Sequence, residues 1–250
     1  MFCRAVQYNL VMSILRKFQT GDQSGFNLDR DNTSPEIFFD NAEALLRRLE
    51  PEVRSEVVPS LEQFDGNWHP LGFMSWKLGT VASVGTLRLH TWPAGLRRES
   101  PRGPKIHDHG WHLSSLIMEG TYTDTIFDVQ EVGGVTSEEI RKRRDLLRVF
   151  RPVLKETSAA LETDGTCAIA TAVEDRSYGA GTTHRIPIKV FHITDIEPHK
   201  MATTLVLESP PINGHTRILM DTPMDPLRDP KHIVSLEDAL FAKEQIMQGF

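Results

Sequence analysis

The stretch that decides the reading is PKIHDHGWHLSSLIMEG, residues 104–120. In a β-strand, side chains two apart share a face and immediate neighbours point to opposite faces. His107 and His109 therefore project together, and Asp108 projects away from them. Two adjacent neutral imidazoles are half of a binding site for Fe, Zn, Ni or Cu. A second stretch, YGAGTTHRIPIKVFH at residues 178–192, is a Gly-rich turn running into a β-prone segment with two histidines. His184 follows the glycine turn directly, and His192 closes the segment. If the run is unbroken both have the same strand parity, so each is a candidate third ligand.

Outward from these stretches, residues 66–218 carry short β-prone segments between Gly- and Pro-containing turns. They are Thr86–Trp92, Leu113–Met118, Tyr122–Val129, Cys167–Val173, Lys189–Thr194 and Thr203–Leu207. Short strands broken repeatedly by turns predict a mainly β, antiparallel barrel or sandwich. One helix interrupts them at Thr136, where Thr136-x-x-Glu139 forms a capping box. The segment Leu146–Leu154 fits either helix or strand. Residues 1–65 read as a helical region. Val6, Leu10, Ile14 and Phe18 mark one helical stripe, and a polar loop spans Gly21 to Asn32. Ser34-Pro35-Glu36 then starts a second helix with Ile37, Phe38, Ala42, Leu45, Leu46 and Leu49 on its apolar face, ended by Pro51. Residues 219–250 form a proline-rich tail and a helix capped by Ser235, with Leu236, Leu240 and Met247 packing back on the barrel.

The two histidine stretches resemble the paired motifs of cupins, G-x5-HxH-x3/4-E-x6-G and G-x5-PxG-x2-H-x3-N. His107, His109 and Gly120 match the first, with Leu113 or Ser114 in the glutamate slot and no opening glycine. Gly181 and His184 match the second, with Gly179 in the proline slot and Ile188 in the asparagine slot. The resemblance implies a double-stranded β-helix (jelly-roll) barrel and a metal held by His107, His109 and His184. His192 is the rival third ligand, with Lys189 in a glycine slot. A closer resemblance, through the His-Asp-His segment, His184-Arg-Ile and Thr203 to Pro211, is to cysteine dioxygenase and the related thiol dioxygenases. It implies Fe(II), O2 and a small thiol as reactants, with a basic side chain holding the substrate carboxylate. The Ser-His-Tyr relay of those enzymes is replaced by Thr204, Val206 and Glu208, and their crosslinking cysteine by Ser114. Cysteine itself is thus a poor substrate candidate.

Further candidates surround this centre. Arg88, two residues from His90 and four from Trp92 on one strand face, and Lys77 are candidate carboxylate anchors. Tyr122 is a candidate phenol for the site and Glu208 a candidate base; His112 is a candidate bystander. The expected activity is a mononuclear non-haem Fe(II) oxygenase acting on a small polar metabolite. The alternatives are a Zn-, Mn- or Ni-dependent isomerase, decarboxylase or lyase, and a ligand-binding protein without catalysis.

Composition excludes some other classes. The formal charge of −6 at pH 7 disfavours a general nucleic-acid binder, and the basic run Arg141 to Arg144 reads as a solvated face. Two cysteines, Cys3 and Cys167, make no disulfide framework, which fits a reducing cytoplasm. No apolar run is long enough to span a membrane. A homodimer through barrel faces or the first helix is an open expectation.

Overall fold

The computed structural model describes residues 34–69, 71–81, 84–97, 106–143, 145–154, 158–163, 165–212, 216–221, 228–230 and 233–249. The predicted helix at Val6–Phe18, the loop Gly21–Asn32, Cys3, Arg144 and most of the proline-rich tail lie outside these residues. Helix α1 spans Pro35–Glu52, with Phe38, Phe39, Ala42, Leu45, Leu46 and Leu49 buried. The Ser34 side chain does not cap its backbone as expected; the hydroxyl donates to the Glu36 carboxylate instead. Nor does Pro51 end the helical path. Proline lacks the N–H needed for the regular ladder, and the chain continues through a wide π turn at Val53–Val57 and a 3-10 segment at Val58–Gln63.

Strands β1 (Gly66–Trp68), β2 (Met74–Val81) and β3 (Gly85–Trp92) follow, then β4 (Ile106–His107) and the 20-residue β5 (Leu113–Val132). Helix α2 (Ser137–Lys142) has the capping box expected at Thr136. Next come β6 (Leu146–Leu154), β7 (Ser158–Glu162), β8 (Cys167–Gly179), β9 (Thr183–Ile186), β10 (Phe191–Asp195), β11 (Ala202–Glu208), β12 (Ile218–Met220) and β13 (Arg228–Pro230). The ambiguous Leu146–Leu154 is thus a strand. Helix α3 (Leu236–Gln248) ends the described chain, and the Ser235 hydroxyl caps it by accepting from Asp238 N–H. Ala239, Ala242 and Ile246 face the core, whereas Leu236, Leu240 and Met247, expected to pack inward, are exposed.

All the strand pairings are antiparallel, and β5 joins two sheets. Its first half pairs with β11 and β9, and β1, β2 and β3 extend that sheet beyond β11. Its second half belongs to a closed ring. In the ring β5, β10, β4, β12, β6 and β8 pair in turn, and β8 returns to β5. Among the described residues, β8 pairs only with β5 beyond Ile169, and Thr171 to Ser177 are exposed.

Alternation decides what each face does. Met74, Trp76, Leu87, Leu89, Leu116, Leu205 and Leu207 of the first sheet bury one face against α1 and α3 in the main apolar core. The other face is more polar: His90 lies opposite Ser75 and Thr204, and Arg88 opposite Lys77 and Val206. In the ring, Phe127, Ile106, Val149, Ala168, Phe191 and Leu219 form one apolar cluster to which every strand contributes, so that side is its interior. The alternate positions, including His107, Tyr122, Asp124, His192 and Thr194, point the other way, toward the polar face of the first sheet.

Candidate metal centre

His107 and His192 sit directly opposite each other on β4 and β10. Their ring centroids are 4.4 Å apart, and His109, just beyond β4, lies 4.9 Å from His107 and 5.2 Å from His192. One ligand nitrogen from each ring lies within 4.8 Å of the other two. Nitrogens sharing one ion at about 2.1 Å are about 3–3.5 Å apart, so modest ring movements complete the set. The donors suit a divalent metal. Burial, reinforced by the neighbouring His107 and His192, pushes His109 well below the usual imidazole range. Burial, and then His107, pushes His192 down to about 3. Both rings are thereby held neutral, the form that ligates. His109 Nδ1 is buried without a hydrogen-bond partner, which fits a nitrogen that ligates a metal.

Supports behind the rings orient them. Asp108 faces away as its parity requires. It is 1% exposed and accepts from the Arg217 backbone N–H at 2.6 Å and from Arg217 Nε at 2.7 Å. Arg217 also reaches Glu131 at 2.9 Å and lies over the Phe191 ring. His192 Nδ1 is 3.3 Å from the Val190 carbonyl, and Trp111 packs beside His109.

The third member of the cluster is His192, which corrects the expectation of His184. The run from His184 to His192 is not one strand. Pro187 to Val190 form a turn with Lys189 at a φ of 63°, and the chain changes sheet there. His184 on β9 pairs opposite Ser115 in the first sheet. Its Nδ1 is 2.7 Å from the Tyr122 hydroxyl, and its Nε2 is 3.2 Å from Asp124 Oδ2, close but misaligned for a hydrogen bond. Asp124, which the sequence reading did not single out, is fully buried and accepts from Thr194 Oγ1 at 2.8 Å. Burial raises its carboxyl, but His184 and His192 outweigh that and hold it below the usual range. Its β-strand parity with Tyr122 was the one available signal.

The remaining candidates are dispersed. Arg88 and Glu208 are each other's partner, with Nε donating to the carboxylate at 2.7 Å, so neither stands as an isolated anchor or base. Lys77 is exposed on β2 opposite Arg88. Burial raises the Tyr122 phenol well above its usual value. His90 is buried beside Phe73 and Trp92. His112 packs against Phe38 and Phe39 of α1, on the core side. In the glutamate slot, Leu113 joins an apolar cluster with Ile186 and Val206, and Ser114 is buried.

No protein-family model matches this chain, and the search of curated proteins found no match. Among solved structures it is similar to a cupin-like protein from Thermotoga maritima, at 12% identity and a TM-score of 0.27 over 68% of this chain and 84% of that one. It is also similar to an RmlC-like cupin from Ralstonia eutropha, at 10% identity and a TM-score of 0.30 over 74% and 82%. A third is oxalate decarboxylase from Bacillus subtilis, at 12% identity and a TM-score of 0.28 over 57% of this chain. The match spans only 27% of that decarboxylase. The chain is mainly β, with a large antiparallel sheet flanked by an N-terminal and a C-terminal helix. No described helix is long and apolar enough to cross a membrane.

Proposed function

We propose that the chain is a mononuclear non-haem Fe(II) oxygenase of the three-histidine cupin kind, oxidising a small polar metabolite that binds the metal. The observation that carries this reading is the donor set. Three imidazoles converge, two buried and His109 half-buried, and Leu113 and Ser114 stand where a carboxylate ligand is expected. Neutral donors leave a divalent ion its full charge, and three of them leave positions open for a ligand and O2. When bound, ferrous iron supplies O2 activation and a Lewis-acid seat for the substrate.

The chain's own residues do the rest. His107, His109 and His192 hold the ion, Asp108 and Arg217 aim the first two, and the Val190 carbonyl orients the third. Tyr122 holds its buried phenol against His184, and the Arg88–Glu208 pair and Lys77 lie on the first sheet.

The test is metal content after purification without added metal, then anaerobic Fe(II) reconstitution and O2 uptake with small thiols. About one iron per chain with thiol-dependent uptake is expected, and His192→Ala abolishes iron binding. Loss on His184→Ala with retention in His192→Ala would return the third ligand to His184. Zinc or nickel without O2 uptake would move the chemistry to a non-redox isomerase, decarboxylase or lyase. No metal after reconstitution would sink the reading.

A further inference from the structure

His112 is 1% exposed, and its ring sits against apolar neighbours. It stacks on Phe38 of α1, with ring centroids 5.7 Å apart, and meets Phe39 edge-on at 5.4 Å. An imidazole in such a place costs desolvation unless its polar atoms are used. One of them is used: Nδ1 accepts from the Ile188 backbone N–H at 3.3 Å. A backbone amide only donates, so Nδ1 keeps its lone pair and the ring proton stands on Nε2. Burial pushes the ring below the usual imidazole range, and Glu36 of α1 offsets only part of that. His112 is thereby a neutral ring whose acceptor is fixed on one amide.

That amide belongs to the turn Pro187–Val190, where the chain leaves His184 and heads for His192. Lys189 in this turn has a φ of 63°. Lysine seldom adopts that backbone, and such a conformation persists only where its surroundings over-determine it. Two contacts hold it, both from the segment that carries the first ligands. Ile188 N–H donates to the His112 ring, and Lys189 N–H donates to the His109 carbonyl at 3.0 Å. At the far end the Val190 carbonyl lies 3.3 Å from His192 Nδ1, which leaves His192 Nε2 for an ion. His112 is itself firmly placed. Its N–H donates to Ser209 Oγ at 3.0 Å, and its carbonyl accepts from Ser209 N–H at 2.9 Å. The end of β11 thus fixes its backbone while α1 fixes its ring.

We propose that His112 is a positioning residue: its Nδ1 holds the Pro187–Val190 turn, and through that turn it sets His192 against His107 and His109. The metal half of this statement rests on the function proposed above. The hydrogen bond and the turn do not.

The experiment compares the full-length wild type with His112→Leu and His112→Asn. Leucine keeps an apolar contact with Phe38 and Phe39 but has no acceptor, whereas the asparagine oxygen stands close to where Nδ1 stood. Co(II) affinity should fall about tenfold or more in His112→Leu, with altered visible absorption, and His112→Asn should keep both near wild type. Wild-type cobalt binding in His112→Leu overturns the proposal. So does a folded His112→Asn as weak as His112→Leu, because packing and not the acceptor would then be what matters. Nitrogen-15 shifts of the wild-type His112 ring give a check that needs neither variant nor metal. A proton on Nε2 is expected, and one on Nδ1 overturns the bond. If His112→Leu fails to fold, this tautomer and the asparagine variant decide. A wild type that binds no cobalt counts against the metal reading alone. The positioning is then judged on the His192 imidazole resonances of metal-free protein. A shift in His112→Leu but not in His112→Asn supports it, and unmoved resonances in His112→Leu overturn it.

Discussion

Asp108 shows how much one buried side chain can fix. It stands between two clustered histidines, yet its carboxylate is spent on Arg217, whose backbone N–H and guanidinium both reach it. This holds β4 against β12 and sets the direction in which His107 and His109 point. Arg217→Met removes the guanidinium and leaves the buried carboxylate only the backbone N–H, a loss of a charge-assisted contact that costs about 1.5–3 kcal/mol. Urea denaturation of the metal-free protein should show that loss, and iron affinity should fall with it. Asp108→Asn in the same chain should restore part of the stability, and the double-mutant cycle measures the coupling. At this scale the sequence is partly legible. The i, i+2 spacing of His107 and His109 and the outward turn of Asp108 follow from strand parity alone. Arg217 as the partner does not, because nothing local marks a contact made so far along the chain. His184 and His192 are alike in parity, and the chain reversal with its positive φ at Lys189 separates them. Pro187 is the local mark of that break, since proline cannot donate to a strand ladder, whereas Lys189 gives none because lysine rarely adopts such a backbone.

Among the elements, β5 does the joining, and Gly120 lets it do so. Its φ is 77°, and a Cβ there would stand 2.0 Å from the Met201 carbonyl oxygen. Gly120→Val should therefore destabilise the fold by about 2–3 kcal/mol or more, combining the backbone penalty with the clash. Chemical denaturation reads this directly, and wild-type stability in the variant would show that the two halves of β5 do not depend on a close approach at Gly120. From sequence, Gly120 reads as the turn between two strands, Leu113–Met118 and Tyr122–Val129. It is a bend within one strand, and an isolated glycine fits both readings. Helix α3 gives a second example. Its large apolar residues suggest the buried face, but Ala239 and Ala242 lie inside, where small side chains allow close approach. By contrast, the capping box at Thr136 and the Ser235 cap depend on neighbours three residues away, and both form as read.

Across the whole molecule, the mainly antiparallel β character is legible from strand lengths and turns, whereas the closed ring is not. Pairings such as β10 with β4 join segments whose sequences carry no mark of one another. The buried histidines make one property of the whole chain predictable. Burial, with His69 and Arg88, holds His90 well below its ordinary value of 6.5. Below that pH the unfolded chain takes up a proton that folded His90 refuses, so stability is full above about pH 6.5 and declines as pH falls. The slope approaches about 1.4 kcal/mol per pH unit for each such histidine. His109, His112 and His192 act in the same direction. Asp124, whose folded pKa is lowered, adds a loss only as pH falls below its ordinary 3.8. Urea midpoints of metal-free protein at pH 7.5 and 5.5 measure the slope, which His90→Gln should flatten; equal midpoints would contradict it.

The outer run of β8 has a consequence for self-association. Among the described residues, Thr171 to Ser177 have a strand neighbour only on the β5 side, and an uncovered strand edge is a template on which another chain can add. Here that edge carries Glu174, Asp175 and Arg176, with Glu174 and Arg176 paired at 2.6 Å. A second copy docking there would have to strip water from three charges, while Val173 is the one large apolar side chain it would gain. The charges along this edge thus oppose fibril-like stacking of one copy on another.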